Sequence, residues 1–265
     1  MKARSVKIDV SRVEEGKGRF IEGDLTISSL KECMVVFAHG SGSSRFSPRN
    51  RFVAGVLQSA GLSTLLLDLL TKEEDAIDTL TGRYRFDVEL LASRLVDAVI
   101  WLEREYINSS NSNSNSNSNN SNNSNSSSSN NSNSSRSSNS NSSRSSNSNS
   151  LRIGYFGSST GAAAALIAYA RYPNNVRAIV SRGGRVDLAT HYLPSIKVPT
   201  LLIVGGYDAP VLRLNREAMD RFPRECMVRL EVISNATHLF EEQGALEQVA
   251  DKAKDWFLRH LLGHG

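Results

Sequence analysis

Two kinds of apolar pattern divide the chain. Near the start, apolar and polar positions alternate with period two: Val6, Ile8 and Val10, then Ile21, Leu25 and Ile27 against Phe20, Glu22, Asp24 and Thr26. Such alternation predicts an antiparallel pair of strands leading into a sheet. Further on come short, almost wholly apolar runs at 34–38, 65–67, 153–156, 178–180 and 201–204. Strands covered on both faces read this way, which predicts a parallel sheet between helices. Residues 228–233 alternate again, as a last strand near an edge does.

Helical spacing fills the gaps between these runs. Phe52, Val53, Val56, Leu57 and Ala60 share a face, and Gly61 is placed to end that helix. Val88, Leu91, Leu95, Val99 and Leu102 form a longer stripe, and residues 162–169 are apolar on nearly every side. Ala245, Val249, Ala253 and Phe257 mark an amphipathic C-terminal helix. Strands alternating with helices imply right-handed crossovers and an α/β architecture: a mostly parallel, doubly wound sheet with helices on both faces.

Residues 108–150 break the scheme. They are almost purely Ser and Asn and contain no apolar residue. Such a stretch cannot offset its own ordering entropy, and it reads as a disordered insertion in a crossover loop. It lies between a helix predicted to end near Tyr106 and a strand predicted to start at Leu151. Removing it from the 265 residues leaves about 220, which suits a single α/β domain over 1–265. The formal net charge is +4, and Arg136 and Arg144 in the Ser/Asn stretch supply two of those charges. The remainder is too small to imply a nucleic acid or an anionic membrane as partner. The two cysteines, Cys33 and Cys226, each open a strand-like segment and read as buried thiols, as in a reducing compartment. The first residues alternate as a strand, without the apolar run of a signal peptide, so the expected location is cytoplasmic.

The chemistry concentrates in four loops. Gly157-Ser158-Ser159-Thr160-Gly161 follows the apolar run ending at Phe156 and opens the helix from Ala162. That is the strand–turn–helix context of a nucleophile elbow. Glycines two before and two after the apex let the backbone cross closely, so Ser159, flanked symmetrically, is the candidate nucleophile rather than Ser158. A serine needs a base to take its proton and an acid to orient that base. Asp208 follows the run at 201–204 through Gly205-Gly206-Tyr207, and His238 follows the strand at 228–233. Both stand at strand C-termini, where open α/β sheets place their sites, and in the chain order Ser, Asp, His. His39-Gly40-Ser41-Gly42-Ser43-Ser44 follows the run at 34–38 and occupies the place of an oxyanion-binding loop. The backbone N–H groups of Ser41 and Thr160 are the candidate oxyanion donors, and His39 reads as a structural residue of its turn.

Arg182 and Arg185 follow the run at 178–180, where either could pair with a substrate carboxylate or phosphate, or with Asp187 or another acid. Arg45, just after the oxyanion loop, is a weaker candidate of the same kind. No His, Asp or Glu cluster has metal-ligand spacing, and no G-x-G-x-x-G follows a strand, so neither a metal nor a cofactor is expected.

Taken together, the 37–44, 157–161 and 205–208 segments and Ala236-Thr237-His238 resemble the α/β-hydrolases, in their dienelactone-hydrolase-like group. The resemblance spans nearly the whole chain outside the Ser/Asn stretch. It implies the α/β-hydrolase fold without a large lid, Ser159, Asp208 and His238 as triad, and Ser41 and Thr160 as oxyanion donors. Dienelactone hydrolases proper use a cysteine nucleophile; serine stands there in this chain. The expected activity is hydrolysis of a small acyl substrate (an ester, lactone or thioester) through an acyl-enzyme on Ser159. The alternative is a non-catalytic binding or scaffolding module on the same fold. Oligomeric state is left open by the sequence.

Overall fold

The computed structural model describes residues 2–10, 19–115 and 150–263. Eight strands form one sheet: β1 (Arg4–Asp9), β2 (Phe20–Thr26), β3 (Leu30–Ala38), β4 (Leu62–Leu67), β5 (Arg152–Ser158), β6 (Val176–Arg182), β7 (Thr200–Gly205) and β8 (Val228–Ile233). Among the described residues six α-helices accompany them: α1 (Pro48–Ser59), α2 (Lys72–Thr81), α3 (Val88–Asn115), α4 (Thr160–Arg171), α5 (Ala209–Met219) and α6 (Ala245–Leu262). The strand order is β1-β2-β4-β3-β5-β6-β7-β8. β1–β2 and β2–β4 pair antiparallel, and every later pair is parallel. This is the α/β-hydrolase fold.

The apolar strands still obey period two, because each face of the sheet has its own helices to bury. Met34, Val36, Ile153, Tyr155 and Ile179 point into a layer shared with Leu91, Leu95, Val99 and Leu102 of α3 and the alanines of α4. Val35, Phe37, Phe156, Val180 and Ile203 point the other way, onto Val53 and Leu57 of α1 and Val249, Ala253, Trp256 and Phe257 of α6. Burying each large side chain contributes about 1.5–3 kcal/mol relative to exposure. The two layers fix β3, β5, β6 and β7 rigidly, so the loops at their C-terminal ends are held in one arrangement.

Three helix features depart from the sequence reading. The apolar stripe of α1 starts at Phe52, yet the helix starts at Pro48, because the Ser47 side chain caps it by accepting from Asn50 N–H. α2 lacks a strong apolar stripe, and neither it nor α5 is among the elements predicted above. α2 is instead set by a capping box, in which Thr71 and Glu74 satisfy each other's backbone N–H. α3 does not end near Tyr106 but runs on to Asn115. Once a helix is nucleated, each added residue fixes one more hydrogen bond, so polar residues of modest propensity extend it. The rest of the insertion expected over 108–150 lies outside the described residues, save exposed Ser150.

Cys33 is fully buried in β3, with Sγ 3.7 Å from the carbonyl of Leu261. Cys226 neither opens a strand nor is fully buried; it sits half-buried in the turn before β8, with Sγ 3.3 Å from Val198 O. Among the described residues, no helix is long and apolar enough to cross a membrane.

Candidate active site

Ser159 stands at the turn between β5 and α4 with φ 51° and ψ −121°. A side-chain-bearing residue at positive φ is strained by about 1–3 kcal/mol and persists only where its surroundings hold it there. Two hydrogen bonds do so here: Ser159 N–H donates to Arg182 O, and Ser159 O accepts from Arg185 N–H, each at 3.1 Å. The flanking glycines are sterically required. A Cβ on Gly157 would lie 2.4 Å from Ala162 Cα, and one on Gly161 would lie 2.4 Å from Ala38 O and 2.5 Å from His39 O. All of those atoms are backbone and cannot swing away. Gly161→Ala is therefore expected to force β3 and the elbow apart. The outcome to measure is a melting temperature lower by several degrees together with loss of Ser159 reactivity; a variant with native stability and reactivity would contradict the close crossing.

The neighbouring serine is committed elsewhere. Ser158 is 1% exposed, and its Oγ donates to Asn50 Oδ1 at 2.9 Å, tying the elbow to the first turn of α1. Ser159, half-exposed at the apex, is the hydroxyl that a ligand can reach.

Asp208 and His238 come from the loops after β7 and β8. Asp208 occupies the N-cap position of α5, yet its side chain makes no capping bond. It turns instead to His238, whose Nδ1 lies 2.6 Å from Asp208 Oδ2. A carboxylate so placed accepts the Nδ1–H proton, leaving the Nε2 lone pair outward. The Asp208 side chain is 10% exposed and the His238 side chain 38%, so the pair is shielded on one side and open on the other. Close backbone packing brings the loops together. A Cβ on Gly205 would lie 2.4 Å from Ala236 O and 2.5 Å from Thr237 O. Gly183, at φ +55°, lies under the imidazole, where a Cβ would be 3.4 Å from both Cε1 and Nδ1 of His238. Its neighbour Arg182 is the residue whose carbonyl holds Ser159 N–H, so one dipeptide borders both candidate catalytic groups.

The loop 39–44 closes the other side. A Cβ on Gly40 would come within 3.0 Å of Ser159 Cβ, so this backbone lies directly against the apex. Thr160 is the first residue of α4, where the helical pattern leaves its N–H without an intrahelical acceptor. No backbone bond from Ser41 N–H is found among the described residues. His39 is 8% exposed and has both ring nitrogens engaged: Nε2 accepts Leu69 N–H at 3.1 Å, and Nδ1 lies 2.9 Å from Gly40 O. That pattern fixes the neutral Nδ1–H form. Burial holds its pKa below the usual histidine value, and the ring serves as a brace for the loop.

The arginines divide. Arg185 donates through Nε and Nη2 to both oxygens of Asp187, at 2.9 and 2.8 Å. Arg45 is enclosed by Glu22, Asp24 and Asp68, which locks the chain just after the 39–44 loop to the sheet. Arg182 is 7% exposed and has no acidic partner among the described residues. Three supporting residues escaped the sequence reading. Asn215, buried within α5, donates to Gly184 O at 2.8 Å and so holds the 183–185 loop. Glu242 accepts Thr237 N–H at 3.0 Å beside His238. Asp78 holds Arg85, whose Nη1 faces Gly42. Of these only Glu242 lay within sight of a motif, four residues after His238. No cluster of three or more His, Cys, Asp or Glu among the described residues could hold a metal ion.

No protein-family profile matches the chain. Two curated relatives, from Mycobacterium tuberculosis strains CDC 1551 / Oshkosh and H37Rv, carry the name "Putative phosphoribosyl transferase" and are 46% identical over 245 residues. The match takes in 92% of this chain but 45% of each relative, so the chain spans about half the length of the curated relatives it matches. Among solved structures, a dienelactone hydrolase from Anabaena variabilis is 44% identical, with a TM-score of 0.75, over 98% of this chain and 100% of that one. An esterase from Pyrococcus furiosus shares the fold at 18% identity and a TM-score of 0.65, over 99% of this chain and 91% of that one.

Proposed function

Because the chain belongs to the dienelactone hydrolase family of the α/β-hydrolase superfamily, we propose that this hydrolase cleaves a small ester, lactone or thioester through an acyl-enzyme on Ser159. The observation that carries this reading is the Asp208–His238 hydrogen bond of 2.6 Å, with Gly183 under the imidazole next to the residue whose carbonyl holds the strained apex at Ser159. Ser159 Oγ attacks the substrate carbonyl carbon while His238 Nε2 takes its proton. The carbonyl oxygen becomes an oxyanion, which accepts hydrogen bonds from Ser41 N–H and Thr160 N–H at the N-terminus of α4. Collapse of the tetrahedral species expels the alcohol or thiol, which leaves with the proton from His238. Water then repeats the sequence on the acyl-serine and releases the acid. Asp208 keeps the imidazole oriented and steadies its charged form throughout.

The transferase named for the Mycobacterium tuberculosis relatives belongs to proteins of which the matching stretch is 45%. Nothing in the arrangement of Ser159, Asp208 and His238 calls for that chemistry. A panel of 4-nitrophenyl esters, lactones and thioesters tests the hydrolase reading. Turnover of at least one class with a burst of released product is expected, because the acyl-enzyme accumulates when its hydrolysis is slow. Silence across the panel, together with failure to react with a fluorophosphonate, would return the chain to the binding-module alternative.

A further inference from the structure

Asn215 is a fully buried amide in the middle of α5, on the same face as Val211 and Ala218. Its amide nitrogen carries two hydrogens, and both are committed to carbonyls. Nδ2 donates to Val211 O, one turn back, and to Gly184 O, outside the helix, each at 2.8 Å. Those two acceptors fix which way the amide points. Oδ1 is then buried with no hydrogen-bond partner among the described residues. An orphaned buried acceptor is destabilising, and Asn is a poorer helix former than Leu. As a core residue of α5 asparagine is disfavoured on both counts. What it supplies in return is the bond to Gly184.

That bond joins the two halves of the candidate site. Asp208 stands at the N-cap of the same helix, about 10 Å along the axis from Asn215 at 1.5 Å per residue. Gly184 belongs to the turn that touches the other two groups. Arg182 O accepts Ser159 N–H, Arg185 N–H donates to Ser159 O, and Gly183 lies under the His238 ring. The turn has no slack on its inner side, where a Cβ on Gly184 would strike Ser181 Oγ and lie 2.6 Å from Ala162 Cβ. It is gripped between β6 and α4 on that side and Asn215 on the other. α5 is therefore a bar with the acid at one end and, two turns on, a hold on the cradle of the nucleophile.

We propose that Asn215 is a positioning residue of the reaction. Through Gly184 it registers α5, and with it Asp208, against the turn that holds the Ser159 backbone and underlies His238. This rests on the hydrolase reading and adds to it a residue buried away from any substrate. Ser159, Asp208 and His238 come from three separate loops, and this bond ties the helix of one to the turn that borders the other two. Losing it lets the turn and the helix shift independently, which misaligns the proton transfer and leaves the fold standing.

The test uses Asn215→Leu, an apolar side chain of similar shape, and Asn215→Ala, which cannot overpack the site. Both are expected to lower kcat for 4-nitrophenyl acetate at least tenfold with KM within about twofold of native, and to slow fluorophosphonate labelling by a similar factor, the scale of a small misplacement. Ala218→Gly weakens the same face of the same helix without touching the Gly184 bond. It is expected to lower the melting temperature and to keep kcat within about twofold. In an Asp208→Asn background Asn215→Ala should cost less than about threefold, because residues that act as a unit are not additive. The Nδ1 proton of His238, shared across a short hydrogen bond, should give a far-downfield proton resonance in the native protein that broadens or vanishes in both Asn215 variants. Native kcat in the two Asn215 variants, a loss confined to KM, full additivity with Asp208→Asn, or an equal loss in Ala218→Gly overturns the positioning role and leaves the hydrolase reading standing. A native protein inert to both probes overturns the hydrolase reading, and the imidazole resonance then decides alone: its loss in the Asn215 variants keeps the positioning role, and its persistence overturns it.

Discussion

A fluorophosphonate is expected to label the native protein on Ser159 and to leave Ser159→Ala unlabelled, with ester turnover falling by about 10³-fold or more in the variant. Such probes react with a serine that has a base to deprotonate it and a pocket to receive the negative oxygen, and ordinary surface hydroxyls do not meet both conditions. The neighbouring serine makes the experiment discriminating. Ser158 is almost fully buried, and its hydroxyl is donated to Asn50. Ser158→Ala leaves Asn50 Oδ1 without its donor, at a cost of about 1–3 kcal/mol in stability. It leaves the apex in place, so labelling should continue. The two variants thus separate fold from chemistry: one loses reactivity and keeps its melting temperature, the other loses stability and keeps its reactivity. Labelling that persists in Ser159→Ala at the native rate would move the nucleophile elsewhere.

The elements that the sequence made legible are those dictated by burial on a sheet. Runs such as 34–38 and 201–204 are apolar on both faces, and both faces are indeed covered, by α3 and α4 on one side and α1 and α6 on the other. What escaped was decided by local polar bonds. α2 has Ile77 and Leu80 exposed and follows from the Thr71–Glu74 capping box, a signal present in the sequence but easily passed over beside stronger stripes. α5 carries Val211, Leu214 and Ala218 at helical spacing, a signal present in the sequence but interrupted by buried Asn215.

In the site, the steric requirements were legible and the charge pairings were not. Gly157 and Gly161 announce a close crossing because no other residue fits one. The fate of each arginine depends on partners far away in the chain or around a turn. Arg45 meets carboxylates on β2 and in the loop after β4, whereas Arg185 meets Asp187 two residues on. Arg182 is distinguished only by what three-dimensional packing leaves out around it. Chain order points to the loops that carry Asp208 and His238, but the distance between them is a property of how β7 and β8 are held together.

That distance sets the second large effect. Asp208→Asn is expected to keep the fold and to lower kcat by about 10⁴-fold, the scale seen when a triad carboxylate becomes an amide. Asp208 Oδ2 accepts the Nδ1 proton of His238 across 2.6 Å, which leaves Nε2 as the ring's acceptor. An asparagine can turn its amide and donate to Nδ1 instead. The ring proton then resides on Nε2, and the base is lost without any movement of the loop. The carboxylate also stabilises the imidazolium that forms during attack, and a neutral amide does not. A further measurement isolates this cause. His238→Ala should lose about 10³-fold or more, and adding the Asp208 change to it should cost little beyond that, because Asp208 acts only through the ring. The strained backbone of Ser159 is untouched in all of these variants, so melting temperatures should stay close to native. If Asp208→Asn retained activity, the short hydrogen bond would be a loop clasp between β7 and β8, and the base would have to be sought in another residue.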